Sequence, residues 1–413
     1  MKIAKNSFFN IAGYIIPGIL SIPILGYMAR ELGIEEFGLF TIILALVGYA
    51  SIFDVGITRS VIREIAIFKN NEEEVLKIIS TSALLVLILG VVAGVLIIVF
   101  SSIISELLKV SSYAVENFQY SLMLLSLSIP LFLLTQIWCS LLEGREEFLK
   151  LNIFKTISST LVVLLPAIGL MLDSSLLSAV IGLLISRVIS IILVLWFCKE
   201  YIVKLKFHKE TFKRLINFGG WIAVSNIISP IMSYFDRFIL ANKVGSNVVG
   251  FYTGPSEAIS RIGIFPSAIA RTIFPMLSDK EADNKQIKKI SYLLVFLSIV
   301  PFGIIAAYFA ENILDLWLGS QFALKSTLIF QVLVLGLIFN SIAQVPFTSI
   351  QAQGGSKVTA ILHLFEVIPY VLLLLYLIQY YGLLGAAWAW TIRMFVDMGL
   401  LIFLDQKNIL KEG

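Results

Sequence analysis

Apolar and polar positions fall into long blocks along this chain. Runs of about 20 apolar residues, each able to cross a hydrocarbon core of about 30 Å as a helix, are separated by short polar turns. Twelve such runs lie at roughly 8–29, 37–57, 78–100, 117–140, 151–172, 177–197, 216–238, 248–270, 290–310, 326–349, 358–380 and 384–404. The pattern predicts an all-α integral membrane protein with about twelve transmembrane helices. After the sixth run comes the longest basic loop, CKEYIVKLKFHKETFKR, the natural linker between two halves. The expected division is 1–197, linker 198–215, and 216–413.

Composition agrees. Of 413 residues, 58% are hydrophobic and 14% charged, against about 25% charged in soluble domains. No soluble core needs this much apolar sequence, so lipid is the solvent. The net charge of +4 is too small to argue for nucleic acid. Cys139 and Cys198 suggest no disulfide framework, and two histidines exclude a multi-histidine metal site. Lys2 and Lys5 precede a long apolar run with no small-residue cleavage site, which reads as a retained first helix. No phosphate loop, nucleotide fingerprint or HExxH occurs, so no ATP hydrolysis by this chain is expected, and no cofactor.

Basic residues set the expected orientation. With the N-terminus inside, the inner segments hold 22 lysines and arginines and the outer ones hold 4, Arg30, Lys109, Lys243 and Lys325. Both termini are therefore expected in the cytoplasm. The linker alternates apolar and basic residues, which suits an anionic membrane surface as well as plain positive-inside bias. All 11 prolines lie in or at the ends of apolar runs. Pro17, Pro23 and Pro230 would bend the first helix of each half, and Gly90 and Gly94 form a GxxxG of the close-packing kind.

One stretch is written twice. Gly33, Gly38, Thr41 and Arg59 match Gly245, Gly250, Thr253 and Arg271, each pair 212 residues apart. Internal repeats of this kind are common in transporters, with the substrate site where the repeats meet. The first copy, RELGIEEFGL…FDVGITRSVIREIA, and the later YFDRFILANKVGSNVVGFYTGPSEAI resemble the polysaccharide repeat-unit flippases (O-antigen, Wzx-type). These belong to the multidrug/oligosaccharidyl-lipid/polysaccharide exporter superfamily. The resemblance implies two six-helix bundles around a central cavity in the inner membrane. It also implies an undecaprenyl-pyrophosphate-linked oligosaccharide as substrate, moved to the periplasmic leaflet, with a polysaccharide polymerase and a chain-length regulator as partners.

Charges inside apolar runs point to the site. Each costs about 2.5–3.5 kcal/mol at a helix centre on insertion scales. Lys155 and Arg237 lie near run ends, within reach of the interface. Asp236 beside Arg237 reads as a local pair, and Asp54 as a partner of Arg59. Arg187, Arg261 and Arg393 lie near mid-run. Arg187 and Arg393 occupy the last run of each half, and a pair of arginines facing a cavity would bind substrate phosphate. Glu257 lies four before Arg261 and Asp397 four after Arg393, so local neutralisation is the competing reading. Arg187 has no acid at i±3 or i±4. Glu366 with His363 three before it is a candidate proton carrier, beside a plain polar contact. Glu257, Glu366, Asp397 and His363 are thus the expected ion-coupling groups.

Rival readings remain. A drug or cation exporter of the same superfamily would favour an acidic, aromatic cavity. A membrane-embedded polysaccharide polymerase or ligase generally needs a large periplasmic loop, and every outer loop here is short. A peptidoglycan-precursor flippase usually carries two further helices.

Overall fold

In hydrocarbon, backbone N–H and C=O groups must pair within their own segment, so a chain of apolar runs becomes helices. The computed structural model describes residues 2–54, 56–202, 204–278 and 284–407, and no strand occurs among them. The helices are α1 (Lys2–Tyr49), α2 (Ile57–Ile67), α3 (Glu72–Val99), α4 (Ser101–Leu107), α5 (Val115–Gly144), α6 (Phe148–Leu172), α7 (Leu176–Phe197), α8 (Lys209–Val244), α9 (Ser246–Ile262), α10 (Ile264–Ser278), α11 (Asn284–Tyr308), α12 (Ala310–Leu318), α13 (Ser320–Ala352) and α14 (Ser356–Gln406). Among the described residues, 8 helices are long and apolar enough to cross a membrane. Two of these, α1 and α14, each hold two expected spans, with non-helical glycines, Gly33 and Gly382, between them. The expected span 216–238 lies in α8. The span expected at 248–270 is not one helix: α9 ends and α10 begins at Gly263.

Contacts gather the chain into two compact units, Met1–Phe238 and Ile239–Gly413. In the first, α3 lies against α5, and the GxxxG shows why. A Cβ on Gly90 would stand 2.7 Å from the Pro130 Cα, and one on Gly94 would stand 2.6 Å from the Ser126 carbonyl oxygen. Only glycine lets these backbones approach so closely.

Polar groups then tie the helix ends. At one end, the acidic turn after the first span binds the two other turns there. Glu35 accepts from Ser111 N at 2.9 Å and Tyr113 Oη at 2.8 Å, Glu31 accepts from Ser174 Oγ at 2.9 Å, and Glu36 accepts from Leu176 N at 2.7 Å. Burial pushes the Glu36 carboxyl above its ordinary value, against the opposing effect of that backbone bond. At the other end, Arg214 of α8 contacts buried Glu64 at 3.0 Å and Glu74 at 2.7 Å, and its guanidinium lies 4.8 Å from the Phe68 ring centre. Arg214 and Lys77 hold the Glu74 carboxyl below its ordinary value. The loops expected on each side of the membrane thus gather at common ends within this unit.

The second unit is built on α13, which packs along α14 and also meets α9, α10, α11 and α12. Buried Ala343, Ile350 and Leu401 mark one contact of α13 with α14.

The repeat has a physical counterpart. Gly33 sits at φ 70°, ψ −176° and Gly245 at φ 104°, ψ 148°. Both lie in a region that only glycine occupies without strain. Thr41 and Thr253, the next matched pair, are both fully buried. The Arg271 side chain and that of Pro230 lie outside the described residues. Gly33→Ala is expected to lower stability by about 1–3 kcal/mol. No atom stands within 4 Å of the added Cβ, so the cost is backbone strain alone. Thermal melting of the purified protein in detergent checks this, and an unchanged midpoint would count against strain at this turn.

Two local expectations change, those for Asp54 and Arg237. Asp54 does not act chiefly on Arg59. Its carboxylate accepts from Thr58 Oγ1 at 2.6 Å and Thr58 N at 3.1 Å, closing the first turn of α2. Arg237 does not reach the interface. It is 3% exposed, donates to the Thr41 carbonyl at 3.3 Å, and lies 5.5 Å from the Tyr234 ring centre. Asp236 is likewise buried, and it accepts from Arg237 N at 2.8 Å.

Candidate functional site

Arg187 stands midway along α7. Its guanidinium carbon lies 4.9 Å from the centre of the Phe132 ring on α5. The Nε is buried and has no hydrogen-bond partner among the described residues, where Arg187 also forms no ion pair. An arginine in an apolar helix with only a ring beneath it keeps its donors uncommitted, and stacking on the aromatic face holds the plane in place. The local spacing already excluded a carboxylate on α7 itself. The structure adds that α5 contributes an aromatic ring there.

The other two arginines lie in the second unit and are held differently. Arg261, near the end of α9, pairs with Glu257 one turn before it at 3.2 Å, as the spacing predicts. Arg393 belongs to a four-residue cluster on the two halves of α14. Its Nε stands 3.9 Å from Glu366 Oε2, and its guanidinium carbon 5.1 Å from the Tyr370 ring centre. His363 Nε2 stands 3.5 Å from Asp397 Oδ1, and its ring stacks on Phe347 of α13 at 5.6 Å.

The pairing therefore crosses between helix segments, where the sequence had paired Glu366 with His363 and Arg393 with Asp397 along single faces. The hairpin at Gly382 folds residues 363–370 beside 393–397, so the i±4 neighbour is no longer the only one within reach. Glu366 and Asp397 are both more than nine-tenths buried. Neither Glu366 oxygen has a hydrogen-bond partner among the described residues, nor does Asp397 Oδ1.

Charge counting shows what this cluster can do. One guanidinium balances one carboxylate in low dielectric, and the second carboxylate is balanced only when a proton or cation joins. His363, Glu366 and Asp397 offer one ligand atom each within 4.8 Å of one another, enough to hold a cation. Arg393 already supplies positive charge at that point, which favours a proton over a metal ion. A groove of about 230 Å³ opens onto the cluster, lined by Glu366, Tyr370 and Arg393 with Leu362, Phe365 and Ile392 among its apolar walls.

Two features escaped the sequence. Tyr370 lies four residues after Glu366 on the same helical face, a signal that was available. Phe132 lies 55 positions from Arg187, and nothing local to either residue marks the contact.

The family model described as "Polysaccharide biosynthesis protein" matches residues 3–281. The chain is 46% identical over 409 residues to the "Putative O-antigen transporter" of Shigella flexneri, covering 98% of each. It is 26% identical over 414 residues to the "Probable low-salt glycan biosynthesis flippase Agl15" of Haloferax volcanii, covering 96% of this chain and 82% of that one. Among solved structures, the lipid II flippase MurJ in an inward closed conformation matches with a TM-score of 0.82 at 17% identity, over 98% of this chain and 87% of that chain. An inward-facing multidrug resistance MATE family transporter of the MOP superfamily matches with a TM-score of 0.78 at 16% identity, over 98% of each. At such identities the two structures share the fold with this chain.

Proposed function

The chain belongs to the polysaccharide biosynthesis protein family, and from that premise we propose that it moves an undecaprenyl-pyrophosphate-linked oligosaccharide from the cytoplasmic to the periplasmic leaflet by alternating access. It is a multi-pass membrane transporter, a flippase of polysaccharide biosynthesis. The lipid-linked substrate, the direction and the residue roles are the proposal.

The observation that carries it is Arg187. A guanidinium in an apolar helix, with no ion pair among the described residues, is costly unless a ligand repays the desolvation. A pyrophosphate does so with bidentate, charge-assisted hydrogen bonds. Arg261 and Arg393 would add phosphate contacts once their carboxylates release them. Glu366, with His363 and Asp397, would carry the coupling proton, and Glu257 would report occupancy of Arg261. The product would pass to a polysaccharide polymerase and a chain-length regulator.

The test is the lipid that builds up in cells lacking the protein. Under this reading an undecaprenyl-pyrophosphate-linked repeat unit accumulates on the cytoplasmic side, identified by mass spectrometry of extracted lipids. Accumulation on the periplasmic side instead would favour a polymerase or ligase step and sink the flippase reading.

We place the N-terminus, the linker and the C-terminus in the cytoplasm of a bacterial inner membrane, following the basic residues. Reporter fusions after Ser174 and after Lys206 are then expected to lie on opposite sides, with Ser174 outside. A cytoplasmic signal at Ser174 would reverse the topology.

A further inference from the structure

The linker is not a loose tether. Ser80 Oγ of α3 accepts from Lys206 N and lies 3.0 Å from the carbonyl oxygens of both Lys204 and Lys206, within donating distance of either. Thr81 Oγ1 accepts from His208 N at 3.2 Å. Ser60 Oγ of α2 donates to the Leu215 carbonyl at 2.8 Å, and Arg214 is held by Glu64 and Glu74. Residues 204–215 are thus strapped onto the first unit by their backbone.

The depth of the strap follows from its partners. Ser80 and Thr81 lie inside the apolar run that begins near residue 78, not in the acidic turn before it. A backbone bonded to them lies at the boundary of the hydrocarbon, the level also marked by exposed Trp196 at the end of α7. At that level the strap exposes large apolar side chains: Ile202, Leu205 and Phe207 are 54%, 44% and 51% exposed. Interleaved with them, Lys199, Lys204, Lys206 and Lys209 are exposed too. Across 198–215 there are five lysines and two glutamates, Glu200 and Glu210, beside the committed Arg214.

We propose that this strap is a docking surface for the anionic phospholipid leaflet on which it lies. Ile202, Leu205 and Phe207 insert at the headgroup boundary while the four lysines bind lipid phosphates. Apolar insertion and lysine attraction are the two contributions that hold interfacial segments on charged bilayers. Lys204, Leu205, Lys206 and Phe207 alternate along the strap and all four side chains are exposed, so one strip presents both kinds. Each lysine near such a surface contributes about fivefold in affinity.

The test uses the full chain in vesicles of phosphatidylcholine alone, or of phosphatidylcholine with phosphatidylglycerol. A nitroxide is placed on Leu205→Cys, with buried Cys139 and Cys198 replaced by alanine. The label is expected to become accessible to oxygen and shielded from a water-soluble nickel complex only when phosphatidylglycerol is present. Raising salt should reverse this. Glutamine at 199, 204, 206 and 209 is expected to raise the phosphatidylglycerol fraction needed severalfold. Nickel access in both lipids would overturn the proposal and leave the strip to a soluble protein partner. Equal shielding in both lipids, indifferent to salt, would overturn its anionic basis. The salt series uses native lysines, so misfolding of the glutamine variant leaves the test intact.

Discussion

Arg187→Ala is expected to abolish surface polysaccharide while the protein still inserts and accumulates in the membrane. The expectation rests on what the guanidinium lacks. Arg261 has Glu257 at 3.2 Å and Arg393 has Glu366 at 3.9 Å, whereas among the described residues Arg187 meets the Phe132 ring and no carboxylate. Removing it therefore orphans no carboxylate among the described residues, and an orphaned partner is the usual route by which loss of a buried charge unfolds a protein. What is lost is binding capacity. Charge-assisted hydrogen bonds contribute about 1.5–3 kcal/mol each, so a bidentate phosphate contact corresponds to a loss of at least about a hundredfold in affinity. Arg187→Lys keeps the charge without the fork and is expected to recover export only in part. Two measurements decide: polysaccharide at the cell surface, and protein in the membrane fraction. Normal export by the alanine variant would remove Arg187 from the site. Absence of the variant from the membrane would assign it a structural role.

The parts of this molecule that were legible in its sequence are those that lipid dictates. Hydrocarbon demands helices, so the apolar runs fall in helices, although α1 and α14 hold two runs each and the run at 248–270 is divided between α9 and α10. The turn glycines were legible because the chain carries two copies. Gly33 and Gly245 stand 212 residues apart and share a backbone conformation closed to other residues. Pairings across helices were not legible. Spacing arguments see one helix face, and so they joined Glu366 to His363 and Asp397 to Arg393. The fold at Gly382 exchanges those partners. Depth was also misread for Arg237, because a residue near the end of an apolar run can still be covered by a neighbouring helix. Here Thr41 of α1 accepts from it, and the Tyr234 ring of its own helix lies beside it. Nothing local to the acidic turn at Glu31 to Glu36 names Ser111, Ser174 or Leu176 as partners.

Glu366→Gln is expected to abolish the response of transport to a proton gradient without abolishing substrate binding. The wild-type cluster holds two buried carboxylates and one permanent cation, Arg393, with His363 beside Asp397. Its charge closes only when a proton joins, so its protonated and deprotonated forms differ by an unbalanced buried charge, and the hairpin that carries them has reason to rearrange between the two. Glutamine deletes one carboxylate. Arg393 then balances Asp397 alone, and the cluster has no further use for a proton. Each proton moved down a gradient of one pH unit supplies about 1.4 kcal/mol, or about tenfold in the ratio of substrate between leaflets. The measurement is the initial rate of flipping by purified protein in vesicles, with and without an imposed proton gradient, and with a sodium gradient as the control. Wild type should accelerate with the proton gradient alone, and Glu366→Gln with neither. Acceleration of wild type by sodium alone would make the same cluster a cation site. Equal rates under every gradient, in both proteins, would leave removal of product on the far side as the driving force.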